Sequence, residues 1–374
     1  MQKDGMMSFH YRAQCWWQKA MPDVLAIAGG RAPAFVYGGN VQHIPVFMYH
    51  EVDASFERDL IRLRDGGYRT VGAEELAQAA RGMWEPDGRS VAITFDDGDT
   101  SLTSIAAPLL ERYQYRAIAF VVSGLVPDTS SGLLAGWDAL SAWVARGVLE
   151  VGSHSLYHHY APVSTKVVDI MSPAIRERLM PRAVRSYPPR QLMLADGSPI
   201  LFGRPRYVAW RAFRPDSDAL DRWAESARRS GAAEYGLARR RSRHLHRIGR
   251  ITGTYESEAE SARAILDDMA ASIALIEARC PNPAARHLCY PWNAGDERTD
   301  ELAGRAGAAL VYKGVLSPDE PAHGPFPPRL QRLPADFLRL LPGSRRASIV
   351  TIARSRWSSA YRGVRAPRTG LARP

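Results

Sequence analysis

Short, nearly continuous apolar runs alternate with amphipathic stretches along much of this 374-residue chain, and that rhythm restricts the fold more than any other feature. Residues 44–49 (Ile-Pro-Val-Phe-Met-Tyr) read as a buried strand. Phe56, Leu60, Ile61 and Leu63 then recur at helical spacing, and Gly66-Gly67 stops that helix. The same alternation predicts a strand over 90–95, a helix over 104–113, a strand over 117–122, a helix over 137–146 and a strand over 148–151. Strands apolar on both faces, separated by helices, imply a parallel sheet covered on both sides. A barrel and an open doubly wound sheet both satisfy the pattern.

The rhythm breaks over 161–255, a Pro- and Arg-rich stretch in which only 218–230 reads as helical. It resumes with a helix over 257–279, a strand over 287–290, a helix over 297–306 and a strand over 308–313. The simplest organisation is one α/β domain made of 44–160 and 256–345 and interrupted by an insertion at 161–255. An N-terminal extension, 1–43, precedes it, and a basic tail, 346–374, follows it; the Pro, Gly, Ser and Arg content marks that tail as poorly ordered.

Charge bears on the partners. The net charge is +10, from 49 basic and 39 acidic residues. No acidic residue follows Asp336, whereas nine arginines do, from Arg339 to Arg373. Setting those nine aside leaves 40 basic residues against 39 acidic ones, so the body is nearly neutral. A uniformly basic nucleic-acid binder is thereby disfavoured. The tail also holds Ile349, Val350, Ile352 and Trp357 among its arginines, a composition that suits a solvated tail or a peripheral contact with an anionic membrane surface. The cationic run from Arg239 to Arg247 suits a solvated loop, or a contact with an anionic glycan or phosphate.

Three cysteines (Cys15, Cys280 and Cys289) without a Cys-x-x-Cys spacing argue against a disulfide framework and a thiolate zinc site. No apolar run reaches the roughly 18 residues of a membrane helix, and Gln14, Gln18, Lys19 and Asp23 interrupt any signal-like stretch. A cytoplasmic protein, with membrane association through the tail as the variant, is the expectation.

Two motifs stand at strand ends, where parallel α/β folds build their sites. Thr94-Phe95-Asp96-Asp97-Gly98 sets two adjacent carboxylates after an apolar strand; alone, it would also serve as a turn closing a βα loop. Gly152-Ser153-His154-Ser155-Leu156-Tyr157-His158-His159 follows the next strand but one. His154 and His158 are four residues apart, so a helical turn would direct both imidazoles the same way. Two histidines and one carboxylate make a three-ligand metal site with a coordination position left open.

Together with Ile-Pro-Val-Phe-Met-Tyr-His at 44–50, these motifs resemble the polysaccharide deacetylases of the NodB-homology type (carbohydrate esterase family 4). The segment Cys289-Tyr290-Pro291-Trp292-Asn293 is similar to that family's third motif. The resemblance covers 44–160 and 256–315. It implies a distorted (β/α) barrel, TIM-like with about seven strands, and a metal-dependent hydrolase acting on carbon–nitrogen bonds that removes acyl groups, N-acetyl first, from a glycan or amino sugar. Carried over by position, Asp97, His154 and His158 become the metal ligands and Asp96 the general base, while the backbone N–H near Trp292 helps hold the oxyanion. One carboxylate and two imidazoles suit Zn²⁺, and Co²⁺, Ni²⁺ or Fe²⁺ would also fit.

Two departures accompany the resemblance. Cys289 stands where the family offers an arginine that orients the base, and no clear match exists for the late motif that supplies the acid. Arg329-Leu330-Gln331-Arg332-Leu333 occupies about that region without a histidine. His50 and His159 are the candidate acids; a hydrogen-bonded structural role is the other reading of His50. Two alternatives to a polysaccharide substrate remain: the insertion and the tail suit a deacylase or amidase acting on a lipid-linked amino sugar or other non-peptide amide, and the two departures suit a non-catalytic glycan-binding relative.

Overall fold

A computed structural model of the protein describes residues 27, 29–30, 32–41, 43–130, 132–171, 195–229, 251–314, 327–343 and 346–352. Five strands come from the first part of the chain: β1 (Val46–Tyr49), β2 (Arg69–Thr70), β3 (Ser90–Asp97), β4 (Ala117–Val121) and β5 (Leu149–Ser153). The middle supplies β6 (Tyr160–Ile170), β7 (Pro199–Pro205), β8 (Phe213–Pro215) and β9 (Gly253–Tyr255). The last part supplies β10 (His287–Cys289), β11 (Leu310–Lys313) and β12 (Arg329–Pro334). The helices are α1 (Glu57–Asp65), α2 (Ala73–Ala80), α3 (Ala107–Arg112), α4 (Trp137–Ala145), α5 (Ser217–Arg229), α6 (Glu258–Arg279) and α7 (Glu297–Arg305).

The main sheet runs β1-β12-β11-β10-β5-β4-β3-β2, and β1 also pairs with β3. That extra pairing, in register from Val46 with Ala92 to Tyr49 with Phe95, closes seven parallel strands into a barrel. β2 joins only the start of β3, at Ser90 and Val91, and stays outside the closed ring. The barrel that the strand–helix rhythm allowed is therefore the one formed, and the open sheet is not.

Alternation along each strand sorts side chains between the two faces. Val46, Ala92, Ile118, Phe120, Cys289, Leu310 and Tyr312 form one buried cluster. Phe47, Ile93, Phe95, Ala119, Val121 and Val151 belong to another, with residues of the covering helices. Gly152 is required by this packing. A Cβ there would stand 2.8 Å from a ring carbon of Phe120 and 2.9 Å from the His287 carbonyl oxygen, so its absence admits the Phe120–Tyr312 ring pair, with centroids 4.7 Å apart.

α6 begins at a capping box, in which the Ser257 hydroxyl accepts from the Glu260 N–H. Its buried side carries Ile265, Met269, Ile273 and Ile276, and also Asp268 and Ser272. The two polar residues lie one turn apart beside the metal-candidate loop.

The middle of the chain, which shows no period in sequence, contains two antiparallel pairs, β6–β7 and β8–β9. With α5 they bury Ile170, Phe213, Trp223, Ala227 and Ile251 in a small core of their own. At the other end, Ile352 is buried in the barrel's outer core, Ile349 packs against it, and Val350 is exposed. The Arg239–Arg247 run, residues 1–26 and residues 353–374 with Trp357 lie outside the described residues. No helix among the described residues is long and apolar enough to cross a membrane.

Candidate metal and catalytic site

β3 is buried along its whole length and ends in the two carboxylates. Asp96 continues the alternation of Ala92 and Thr94. Asp97 breaks it with φ +70°, and Gly98 follows at φ +78°, so the left-handed backbone turns the second carboxylate away from the first. A non-glycine residue in that region carries backbone strain, of a kind that collects at functional sites.

His154 directly follows β5 and is fastened by its N–H to the Val121 carbonyl at 2.8 Å. The segment to His158 is a looped turn with Ser155 at φ +71° and His158 at φ +47°. The helical turn expected for the His-x-x-x-His spacing is therefore not formed. Side-chain hydrogen bonds replace it: His158 N–H donates to Ser155 Oγ at 2.8 Å, and Ser155 N–H to Ser153 Oγ at 3.2 Å. The two imidazoles still meet, with ring centroids 4.8 Å apart.

Asp97 Oδ1 lies 3.6 Å from His154 Nε2 and 3.7 Å from His158 Nε2. It is buried and has no hydrogen-bond partner among the described residues. Ligand atoms of Asp97, His154 and His158 all fall within 4.8 Å of one another. Ligand atoms about 2.0–2.2 Å from a tetrahedral ion stand roughly 3.3–3.5 Å apart, so the separations fit a shared cation. Protonation fits as well. His154 Nδ1–H donates to the Cys289 carbonyl at 3.0 Å, which leaves Nε2 as a lone-pair donor. Burial, above all, lowers the pKa of His154 to about 4 and that of His158 to about 3, so both rings are neutral near pH 7.

Asp96 has a different partner. Arg332, on β12 and 1% exposed, donates from Nη1 to Oδ1 at 2.6 Å and from Nη2 to Oδ2 at 2.9 Å. Arg332 Nη2 also reaches Asn293 Oδ1 at 3.1 Å. Burial disfavours the charge on Asp96, but the guanidinium, helped by His154, outweighs it and holds the carboxyl well below its ordinary range. Cys289 Sγ is 3.9 Å from Asp96 Oδ1. The guanidinium expected at position 289 thus comes from β12, and the smaller thiol leaves it room.

The other candidates differ in placement. His50 stands at the mouth, its side chain 56% exposed and its Nε2 3.9 Å from Asp96 Oδ2. Trp292, at φ +52°, sets its ring 4.0 Å from the His158 ring and 4.2 Å from that of Tyr160. His159 is half-buried, and its carbonyl accepts from the Arg206 N–H at 3.1 Å.

Residues 84–177 match the family model described as polysaccharide deacetylase, a stretch that contains Asp96, Asp97, His154 and His158. That segment is similar to polysaccharide deacetylases. An alignment over 88 residues, covering 21% of the chain, is 31% identical to YxkH of Bacillus subtilis (strain 168), which bears the name "Putative polysaccharide deacetylase". The match spans about a third, 32%, of that relative's length. In three dimensions 82% of the chain overlays 98% of a de-N-acetylase from Aggregatibacter actinomycetemcomitans, with a TM-score of 0.51 and 17% identity. That second likeness is one of fold, and it carries the barrel beyond the matched deacetylase segment. Arg332 and Trp292 lie outside the segment. The one signal for Arg332 in the sequence is an arginine on a late strand of a chain whose usual arginine position holds Cys289.

Proposed function

We propose that the protein is a metal-dependent hydrolase that removes acyl groups, N-acetyl first, from a carbohydrate, with Asp97, His154 and His158 as the metal ligands. What supports the reading above all is the buried, unpartnered Asp97 Oδ1 standing between two neutral imidazoles. Zn²⁺ is the ion this donor set favours. A divalent cation held there would supply Lewis acidity toward the acyl carbonyl and toward a water.

The remaining work falls to the chain. Asp96 is ionised and oriented by Arg332, and its Oδ2 lies 4.0 Å from His154 Nε2 and 3.9 Å from His50 Nε2. That oxygen therefore borders both the ligand cluster and the mouth. Asp96 accepts the proton of the water that adds to the acyl carbon. The backbone N–H near Trp292 stabilises the oxyanion. His50 delivers a proton to the sugar nitrogen as the C–N bond breaks, and acetate and the free amine leave. His159, tied through its backbone to Arg206, is the second candidate for that role.

The test is acetate release from a panel of N- and O-acetylated saccharides, lipid-linked amino sugars included. Turnover by the wild type that is lost in Asp96→Asn supports the assignment. Undiminished turnover in Asp96→Asn would overturn it, and glycan binding without turnover would favour a non-catalytic role.

A further inference from the structure

The loop that carries His154 and His158 is held from behind by groups that take no part in the proposed reaction. Leu156, midway between the two histidines, donates its N–H to Asp268 Oδ2 at 3.2 Å. The same oxygen accepts from the Tyr207 hydroxyl at 2.8 Å. Asp268 and Tyr207 are both buried, and no ion pair to Asp268 occurs among the described residues. Burying a carboxylate without a directly paired counter-charge is costly unless hydrogen bonds compensate it; burial raises the pKa of Asp268 against the pull of these two hydrogen bonds and of the Arg206 charge.

One turn further along α6, Ser272 Oγ hydrogen-bonds to Ser153 Oγ at 2.6 Å and to Ser123 Oγ at 2.8 Å. Tyr207 comes from the 161–255 insertion and is itself fixed, its carbonyl accepting from Thr299 Oγ1 at 2.9 Å. Its neighbour Arg206 donates its backbone N–H to the His159 carbonyl. The insertion thus grips the ligand loop twice, at Leu156 through Asp268 and at His159 directly.

We propose that Tyr207 and Asp268 are positioning residues for the metal site: the Tyr207–Asp268–Leu156 hydrogen-bond chain sets the loop so that the His158 imidazole meets His154 and Asp97, which makes this part of the insertion a requirement for tight metal binding. The proposal rests on the metal reading of Asp97, His154 and His158. Both backbone strain points of the loop, Ser155 and His158, flank the amide that Asp268 holds. Without that anchor the left-handed residues are free to relax, and the His158 ring swings with them.

The experiment is Zn²⁺ affinity of the full-length protein by chelator competition, with the visible spectrum of the Co²⁺-loaded form as the report on ligand geometry. Tyr207→Phe removes one hydroxyl, and Asp268→Ala removes the acceptor. Each is expected to weaken Zn²⁺ binding about 10- to 100-fold, the usual effect of losing a group that orients a metal ligand, and to change the Co²⁺ spectrum. Asp268→Asn, which keeps an acceptor for the Leu156 N–H, is expected to recover much of the loss. Tyr207→Phe tests the proposal even if Asp268→Ala does not fold. Wild-type affinity and an unchanged spectrum in Tyr207→Phe would overturn the proposal alone. Failure of the wild type to bind Zn²⁺ would overturn the metal reading with it.

Discussion

Arg332 grips both oxygens of Asp96, at 2.6 and 2.9 Å, from a strand that is not a neighbour of β3 in the sheet. β1 runs between the two strands, so the ion pair spans the barrel interior over it. The guanidinium rests above the Phe120 ring, 5.7 Å from its centroid. A carboxylate held at two points keeps its charge and its direction, which the proposed base needs in addition to reach of the water.

Removing the guanidinium leaves a buried carboxylate without its counter-charge. Arg332→Met is expected to cost about 3–5 kcal/mol of stability at neutral pH, the usual result of breaking one side of a buried pair. The pKa of Asp96 is lower in the folded protein than its unfolded value of about 3.9. The contribution of the pair is therefore complete above that value and fades as pH falls below it. Urea unfolding of the wild type and Arg332→Met should show the largest gap at pH 7 and a smaller one below about pH 4.

The contrast between Asp96 and Arg332 shows what can be read along a chain of this kind. Asp96-Asp97 and His154/His158 are contiguous motifs after apolar strands, so residue type and spacing reveal them. Arg332 belongs to a site assembled across the barrel, and β12 is obscured as a strand because Arg329 and Arg332 interrupt its apolar run. Arg329 forms an ion pair with Asp300 on α7. Closure is legible only through the motif resemblance, which implies the barrel. The strand–helix rhythm is the same for an open sheet, and in the structure the register of β1 on β3 decides between them. In the insertion, β6 and β7 pair across an interval of some thirty residues, which no local pattern records.

The proposed metal ligands His154 and His158 should govern acid stability in the metal-free protein. His154 and His158 titrate at about 4 and about 3 when folded, against about 6.5 unfolded. Below pH 6.5 the unfolded chain takes up protons that the folded one refuses, so stability falls as pH drops from about 6.5 toward 4. Urea midpoints of the metal-free wild type should follow that course, and those of His154→Gln/His158→Gln should be flatter over the same range.

His50 is largely exposed, and replacing it should spare the fold. His50→Gln is expected to lower kcat on an N-acetyl sugar by about 10²- to 10⁴-fold while leaving thermal unfolding unchanged. An aryl acetate, whose leaving group needs no proton, should be far less affected. A loss of equal size on both substrates would move the acid role elsewhere, with His159→Gln as the next variant to measure.

Gly152→Ala tests the packing beneath the site. The added methyl would press on Phe120 and the His287 carbonyl, with an expected cost of about 1–3 kcal/mol and a displacement of the adjacent His154. Thermal unfolding and the Zn²⁺ affinity of that variant should fall together.

The most direct test is the metal content of the purified protein, measured by elemental analysis on the wild type, Asp97→Ala and His158→Ala. About one divalent ion per wild-type chain, lost from both variants while their thermal unfolding stays cooperative, is the expected result. Equal metal content in all three proteins would contradict the assignment of Asp97, His154 and His158 as the ligands.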